Sequence, residues 1–115
     1  MNLPFAVQQQ TDAYNLKDID LMLSVFAESI EIVKLKTGEK LLNGKNECLV
    51  FFENLFANSP DLKAEILETI VFDNTVIVRE MVYGRNGITK PIEQLLLYEL
   101  VDNKISKLSV ASKEI

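Results

Sequence analysis

Val7, Gln10 and Tyr14 recur at helical spacing, with a polar amide set in the middle of a face that should look inward. The stripe predicts a first helix ending at Asn15-Leu16-Lys17. Asp18 has the position and chemistry of an N-cap, and Asp20 lies near the positive end of the helix it starts. Leu23, Phe26 and Ala27 supply that second helix's buried face. From Ser29 the period changes to two, with Ile30, Ile32 and Lys34 pointing one way and Glu31, Val33 and Leu35 the other, which is a strand. "KTGEK" turns around Gly38, and Asn43-Gly44 is a second break. Cys48, Phe51, Phe52, Leu55 and Phe56 then form the apolar stripe of a third helix, which Asn58-Ser59-Pro60 ends because a residue before proline avoids helical dihedrals.

The remainder reads as strands at hairpin spacing, over 62–72, 75–84, 88–101 and 104–112. Asp73-Asn74, Asn86-Gly87 and Asp102-Asn103 are the turns, and the Asn-Gly pair suits a tight primed turn. Helices followed mainly by an antiparallel meander make an α+β arrangement, with the helices covering one face of the sheet. No repeat, low-complexity segment or linker interrupts residues 1–115, which read as one domain.

Composition narrows the chemistry. With 115 residues, 48% hydrophobic and 25% charged, the chain can bury one core without disulfides or a structural metal. The single Cys48 fits a reducing cytosol and reads as a small buried hydrophobe. A net charge of -5 disfavours nucleic acid and anionic membrane as partners. No signal peptide or membrane-length apolar run is seen, so the expected location is cytoplasmic. Histidine is absent, which removes Ser-His and Cys-His mechanisms and His-ligated zinc, and one cysteine cannot build a zinc site; no cofactor is implied.

Several phrases carry a resemblance: "DAYNLKDIDLMLSVFAESIEI", "NGKNECLVFFENLFANSPDLKAEI" and "YELVDNKISKL". In their order and spacing they resemble the NTF2-like superfamily, in its SnoaL-like and ketosteroid-isomerase-like branch. The resemblance implies a cystatin-like cone, with three N-terminal helices packed on a strongly curved mixed, mainly antiparallel sheet around a pocket, and commonly a homodimer. It also implies positions for an isomerase's catalytic groups. Matched without gaps, these fall on Gln10, Lys34 and Leu96, where neither an ammonium nor a leucine can do the work of a carboxyl group. Ketosteroid isomerase chemistry is therefore not expected.

Strand alternation puts Ile77, Arg79, Met81 and Tyr83 on one side and Val76, Val78, Glu80 and Val82 on the other. The resemblance favours the Arg79 set as inward. Arg79 beside Lys34 and Gln10 would suit an anionic or carbonyl-bearing ligand; alternatively Arg79 pairs with Glu31 or Glu65 as a sheet salt bridge. The candidate ligand-binding residues are Gln10, Tyr14, Lys34, Phe52, Arg79, Met81, Tyr83 and Tyr98. The first reading is a non-enzymatic cup that binds such a ligand; the second, a SnoaL-like enzyme acting on a polyketide-like or steroid-like carbonyl compound, would need an inward carboxylate, and Glu31, Glu80 or Glu93 would supply one only if the strand parity is reversed. A scaffold with a filled pocket is the third reading. In "IEQLLLYELV" both parities are apolar, so Leu95 and Leu97 on the outer face are expected to pack against a second copy of the chain.

Overall fold

The computed structural model describes residues 3–114. Helix α1 (Phe5–Leu16) follows Pro4, whose carbonyl accepts from the Val7 and Gln8 amides at 3.1 Å. It stops at Lys17, which adopts φ 56°. The Asp18 carboxylate then accepts from the Leu21 amide at 3.1 Å and caps α2 (Ile19–Ser24), so the break and restart follow the expected chemistry. The second helix is shorter than its apolar pattern implies. Phe26 and Ala27 already belong to strand β1 (Phe26–Lys34), where Phe26 is fully buried against Phe52.

Strand β2 (Lys40–Asn43), which periodicity did not reveal, is too short to display an alternation. Helix α3 (Lys45–Ala57) buries Cys48, Phe52, Leu55 and Phe56 and leaves Phe51 about half exposed. The meander follows as β3 (Lys63–Phe72), β4 (Thr75–Tyr83), β5 (Ile92–Val101) and β6 (Lys104–Glu114). Asp102 and Asn103 both take positive φ between β5 and β6, the conformation a type I′ hairpin requires.

The six strands form one mixed sheet in the order β2-β1-β6-β5-β4-β3, antiparallel except for β1 against β6. One hydrophobic core joins the helices to the inner face, from Val7, Tyr14, Met22 and Phe52 to Val76, Val78, Tyr98 and Leu108. This is an α+β, NTF2-like (cystatin-like) fold. Among the described residues no helix is long and apolar enough to cross a membrane.

The β4–β5 connection departs from the tight Asn-Gly turn that the sequence predicts. Arg85–Gly87 form a 3-10 turn in a longer loop, held at Gly84 and at Asn86. Gly84 has φ 76°, and a Cβ there would meet the Asp61 carbonyl oxygen at 2.5 Å, so only glycine fits. The Asn86 amide donates to the fully buried Ser59 hydroxyl at 2.7 Å. The exit from α3 therefore fixes the position of Arg85.

Candidate functional site

Between the helices and the inner face lies a cavity of about 370 Å³, within the size range of small-molecule sites. Its walls are mostly apolar: Ile32, Leu41, Leu42, Phe51, Phe52, Ala64, Leu96, Leu108 and Val110. Leu41 and Leu42 reach it together because Ile32 pairs with Leu42 and Val33 with Lys40, which makes Leu41 an extra, bulged residue. Gln10, Thr11 and Tyr14 enter from α1, Glu80 from β4, Arg85 from the loop, Gln94 from β5 and Ser112 from β6.

The hydrogen-bond directions within this polar set are fixed by chemistry. The Ser112 hydroxyl donates to Gln94 Oε1 and Gln94 Nε2 donates to Glu80 Oε1, both at 2.9 Å. Glu80 Oε1 is thereby committed as an acceptor, so a proton on this carboxyl sits on Oε2. Tyr98, fully buried behind the cavity wall, donates to Gln10 Oε1 at 2.7 Å, which leaves the Gln10 amino group as the donor available to the cavity. Arg85 Nη2 donates to the Tyr14 hydroxyl at 3.1 Å, while Arg85 Nε is buried without a partner.

Burial raises the Glu80 pKa, with the Gln94 hydrogen bond and the charge of Arg85 pulling part of the way back. Burial also raises Tyr14, opposed by Arg85, and raises Tyr98 well above the usual phenol range. Both phenols are therefore hydrogen-bond donors at neutral pH. The cup thus combines apolar walls, three donors and one carboxyl group that resists ionisation.

Of the residues the sequence singled out, Gln10, Tyr14 and Phe52 line the cavity, and Tyr98 stands behind Gln10 as its support. The other four lie elsewhere. Lys34 is the last residue of β1 and its ammonium turns to Glu39 at 3.2 Å, beyond the cavity wall. Arg79 lies on the outer face, where Nε donates to Glu68 at 2.8 Å and Nη1 to Glu93 at 2.9 Å. Its partners are thus not Glu31 or Glu65. Met81 and Tyr83 share its parity, and Tyr83 is 39% exposed.

The inward set on β4 is Val76, Val78, Glu80 and Val82, each no more than 5% exposed. The cause is energetic: inward Arg79 would bury a guanidinium that cannot give up its charge, whereas an inward glutamate can take a proton. Arg85 was missed because its place depends on Gly84 and Ser59. In the sequence Glu80 is inward only if the strand parity is reversed, and that reversal is what the structure shows.

Two shallower hollows are less suited to a ligand. The one between the start of β1 and the β5–β6 turn holds Lys45 and Lys104, but Lys45 faces Glu28 at 3.5 Å and Lys104 donates to the Ser24 carbonyl at 2.6 Å. The other lies on the outer face around the Arg79–Glu93–Lys113 ion pairs. No group of metal-ligating side chains occurs among the described residues.

Three helices packed on a six-stranded mixed sheet around a cup form the NTF2-like (cystatin-like) architecture. The SnoaL-like domain model matches residues 7–108, and the chain belongs to that family. No curated protein sequence matches it. Among solved structures, it is similar to an uncharacterised cystatin-fold protein from Novosphingobium aromaticivorans, at 21% identity and TM-score 0.87, over 96% of this chain and 98% of that one. A candidate polyketide cyclase from Sinorhizobium meliloti matches at 24% identity and TM-score 0.81 over 95% of each chain. A candidate ketosteroid isomerase from Kribbella flavida matches at 14% identity and TM-score 0.81, over 97% of this chain and 78% of that one.

Proposed function

We propose that the cup binds a small, partly apolar carbonyl compound and moves a proton on it through Glu80, as an enzyme of SnoaL-like type. The observation that carries this reading is the buried Glu80, which faces the cavity from β4 and is held by Gln94 through one oxygen only. A base in this setting takes a proton from the carbon next to the ligand's carbonyl. The electron pair of the broken C–H bond moves into the carbonyl, making an enolate whose oxygen accepts from the Gln10 amino group. The protonated Glu80 then returns the proton to the same or a neighbouring atom. Burial suits both halves, since a carboxyl group with a raised pKa is a stronger base when ionised and remains a usable acid near neutrality. The cyclase and isomerase names among the similar structures fit carbonyl chemistry, although identities below 25% speak for the fold alone.

The test uses butyrophenone, a compact neutral ketone, in deuterated buffer, with loss of its α-proton signal followed by NMR. The protein should accelerate exchange, and Glu80→Gln should remove about 10²- to 10⁴-fold of that acceleration. No acceleration by the native protein, or full acceleration by E80Q, would refute the proposal.

The outer face of the sheet supports a second part of the proposal. Leu95 is 38% exposed there and Leu97 lies beside it, so the protein is proposed to form a homodimer through this face. Native mass spectrometry should show a dimer that the double change Leu95→Glu, Leu97→Glu converts to monomer.

A further inference from the structure

We infer that Arg85 and Tyr14 form a receptor for a carboxylate on the ligand, so that the compound held in the cup is an apolar oxo acid rather than a neutral ketone. This rests on the reading of the cup as a carbonyl-compound site and names a second functional group of its substrate.

Arg85 Nε is the one buried side-chain nitrogen or oxygen among the described residues without a hydrogen-bond partner. A buried, unpaired donor on a cation is costly unless something arrives to satisfy it. The Nε–H and one Nη2–H lie along the same edge of a guanidinium, the edge that grips a carboxylate with two parallel bonds. Nη2 already donates to the Tyr14 hydroxyl oxygen. Tyr14 thus accepts from the arginine and keeps its own proton to give away. Arg85 and Tyr14 both line the cavity, and the Tyr14 O–H and the guanidinium beside it together offer donors to an incoming pair of oxygens.

The pair is also built rather than incidental. Gly84 and the Ser59–Asn86 hydrogen bond fix the loop, and Tyr14 packs edge-on against Phe56 with ring centroids 6.0 Å apart. The little rotamer freedom left to lose favours binding.

Charge completes the argument. The titratable or charged groups that line the cavity are Tyr14 from α1, Glu80 from β4 and Arg85 from the loop; α3, β1, β2, β3, β5 and β6 contribute none among the described residues. With Glu80 ionised, the cup is close to neutral overall. With Glu80 protonated it carries the single positive charge of Arg85 and a carboxylate is welcome. Binding of the acid is therefore coupled to protonation of Glu80: while the ligand's own carboxyl group stays ionised, affinity falls as pH rises through the Glu80 titration.

The probes are 4-oxo-4-phenylbutanoate and its primary amide, compared by isothermal titration calorimetry. At pH 6 the native protein should bind the acid at least about tenfold more tightly than the amide, the size expected of a charge-assisted pair. Arg85→Met should abolish that preference and Tyr14→Phe should reduce it, each checked for a native melting transition. Glu80→Gln should keep the preference and lose its pH dependence. Equal binding of acid and amide by the native protein, or a preference surviving in R85M, overturns the receptor. If neither probe binds while butyrophenone still exchanges, the receptor fails and the carbonyl cup stands. If neither binds and no exchange occurs, both fail.

Discussion

Arg79 and Glu80 are adjacent on β4, yet their surroundings differ as much as any two in the molecule. Arg79 is half-exposed and lies between two carboxylates, Glu68 on β3 and Glu93 on β5, with Lys113 also on Glu93 at 3.4 Å. Glu80 is 5% exposed and holds a single amide hydrogen bond. On the outer face charges are matched and solvent does much of the stabilising, and there Glu93 is pulled below its ordinary pKa, chiefly by Arg79. On the inner face water is scarce, so the environment acts on the group itself and drives its pKa upward. One residue's displacement along a strand separates a charge that serves the sheet from a carboxyl group available for chemistry.

The strongest way to break this contrast is to place a basic group on the inner face. Glu80→Lys would set an ammonium opposite the Gln94 amino group and near Arg85, with no acceptor in reach of the present geometry. The expected loss is about 3–5 kcal/mol, the usual effect of an uncompensated buried charge, and urea unfolding would measure it. A loss within the range of an ordinary surface change would mean that water reaches this end of the cup freely.

How far the sequence reveals this contrast depends on the range of the interactions involved. The Asp18 cap and the Asp102-Asn103 hairpin were legible because each is made by neighbours. The parity of β4 was not, because Val76, Val78 and Val82 alternate with Ile77, Met81 and Tyr83, and both sets are apolar around one charge. Asn15 shows the same limit: it reads as a helix stop, yet its side chain accepts from the Ala64 amide at 2.7 Å and donates to the Ala64 carbonyl at 3.1 Å. That pairing pins α1 to β3 across 49 positions, and no local pattern announces it. Arg85 depends likewise on Ser59, which binds its neighbour Asn86 across 27 positions.

A smaller effect, of opposite sign, is expected from Glu80→Gln. The glutamine keeps an oxygen for Gln94 but cannot ionise. In the native chain the folded pKa of Glu80 lies above the unfolded one, so this group's contribution to stability is fully present below the unfolded pKa. It is lost as pH rises through the folded pKa. The variant should therefore match the native protein near pH 4 and exceed it at pH 7 to 8, by about 1 kcal/mol in urea unfolding. A gap that is the same at both pH values would mean that Glu80 is not held toward its neutral form. Such a gain, together with the loss of proton exchange, would mark Glu80 as a residue retained for function at a cost in stability.

The smallest effect belongs to the outer face. Arg79→Ala removes both ion pairs, but Glu68 is 68% exposed in its side chain and returns to water with little penalty. Glu93, with 18% of its side chain exposed, still has Lys113 beside it. The urea midpoint should shift no more than for an ordinary surface substitution, and the shift should shrink further in 1 M salt, where the screening length is about 3 Å. Proton exchange on butyrophenone should not change, because Arg79 points away from the cavity. A large loss of exchange in R79A would show that the outer charges are coupled to Glu80 through β4, and the two faces would then have to be treated as one electrostatic unit.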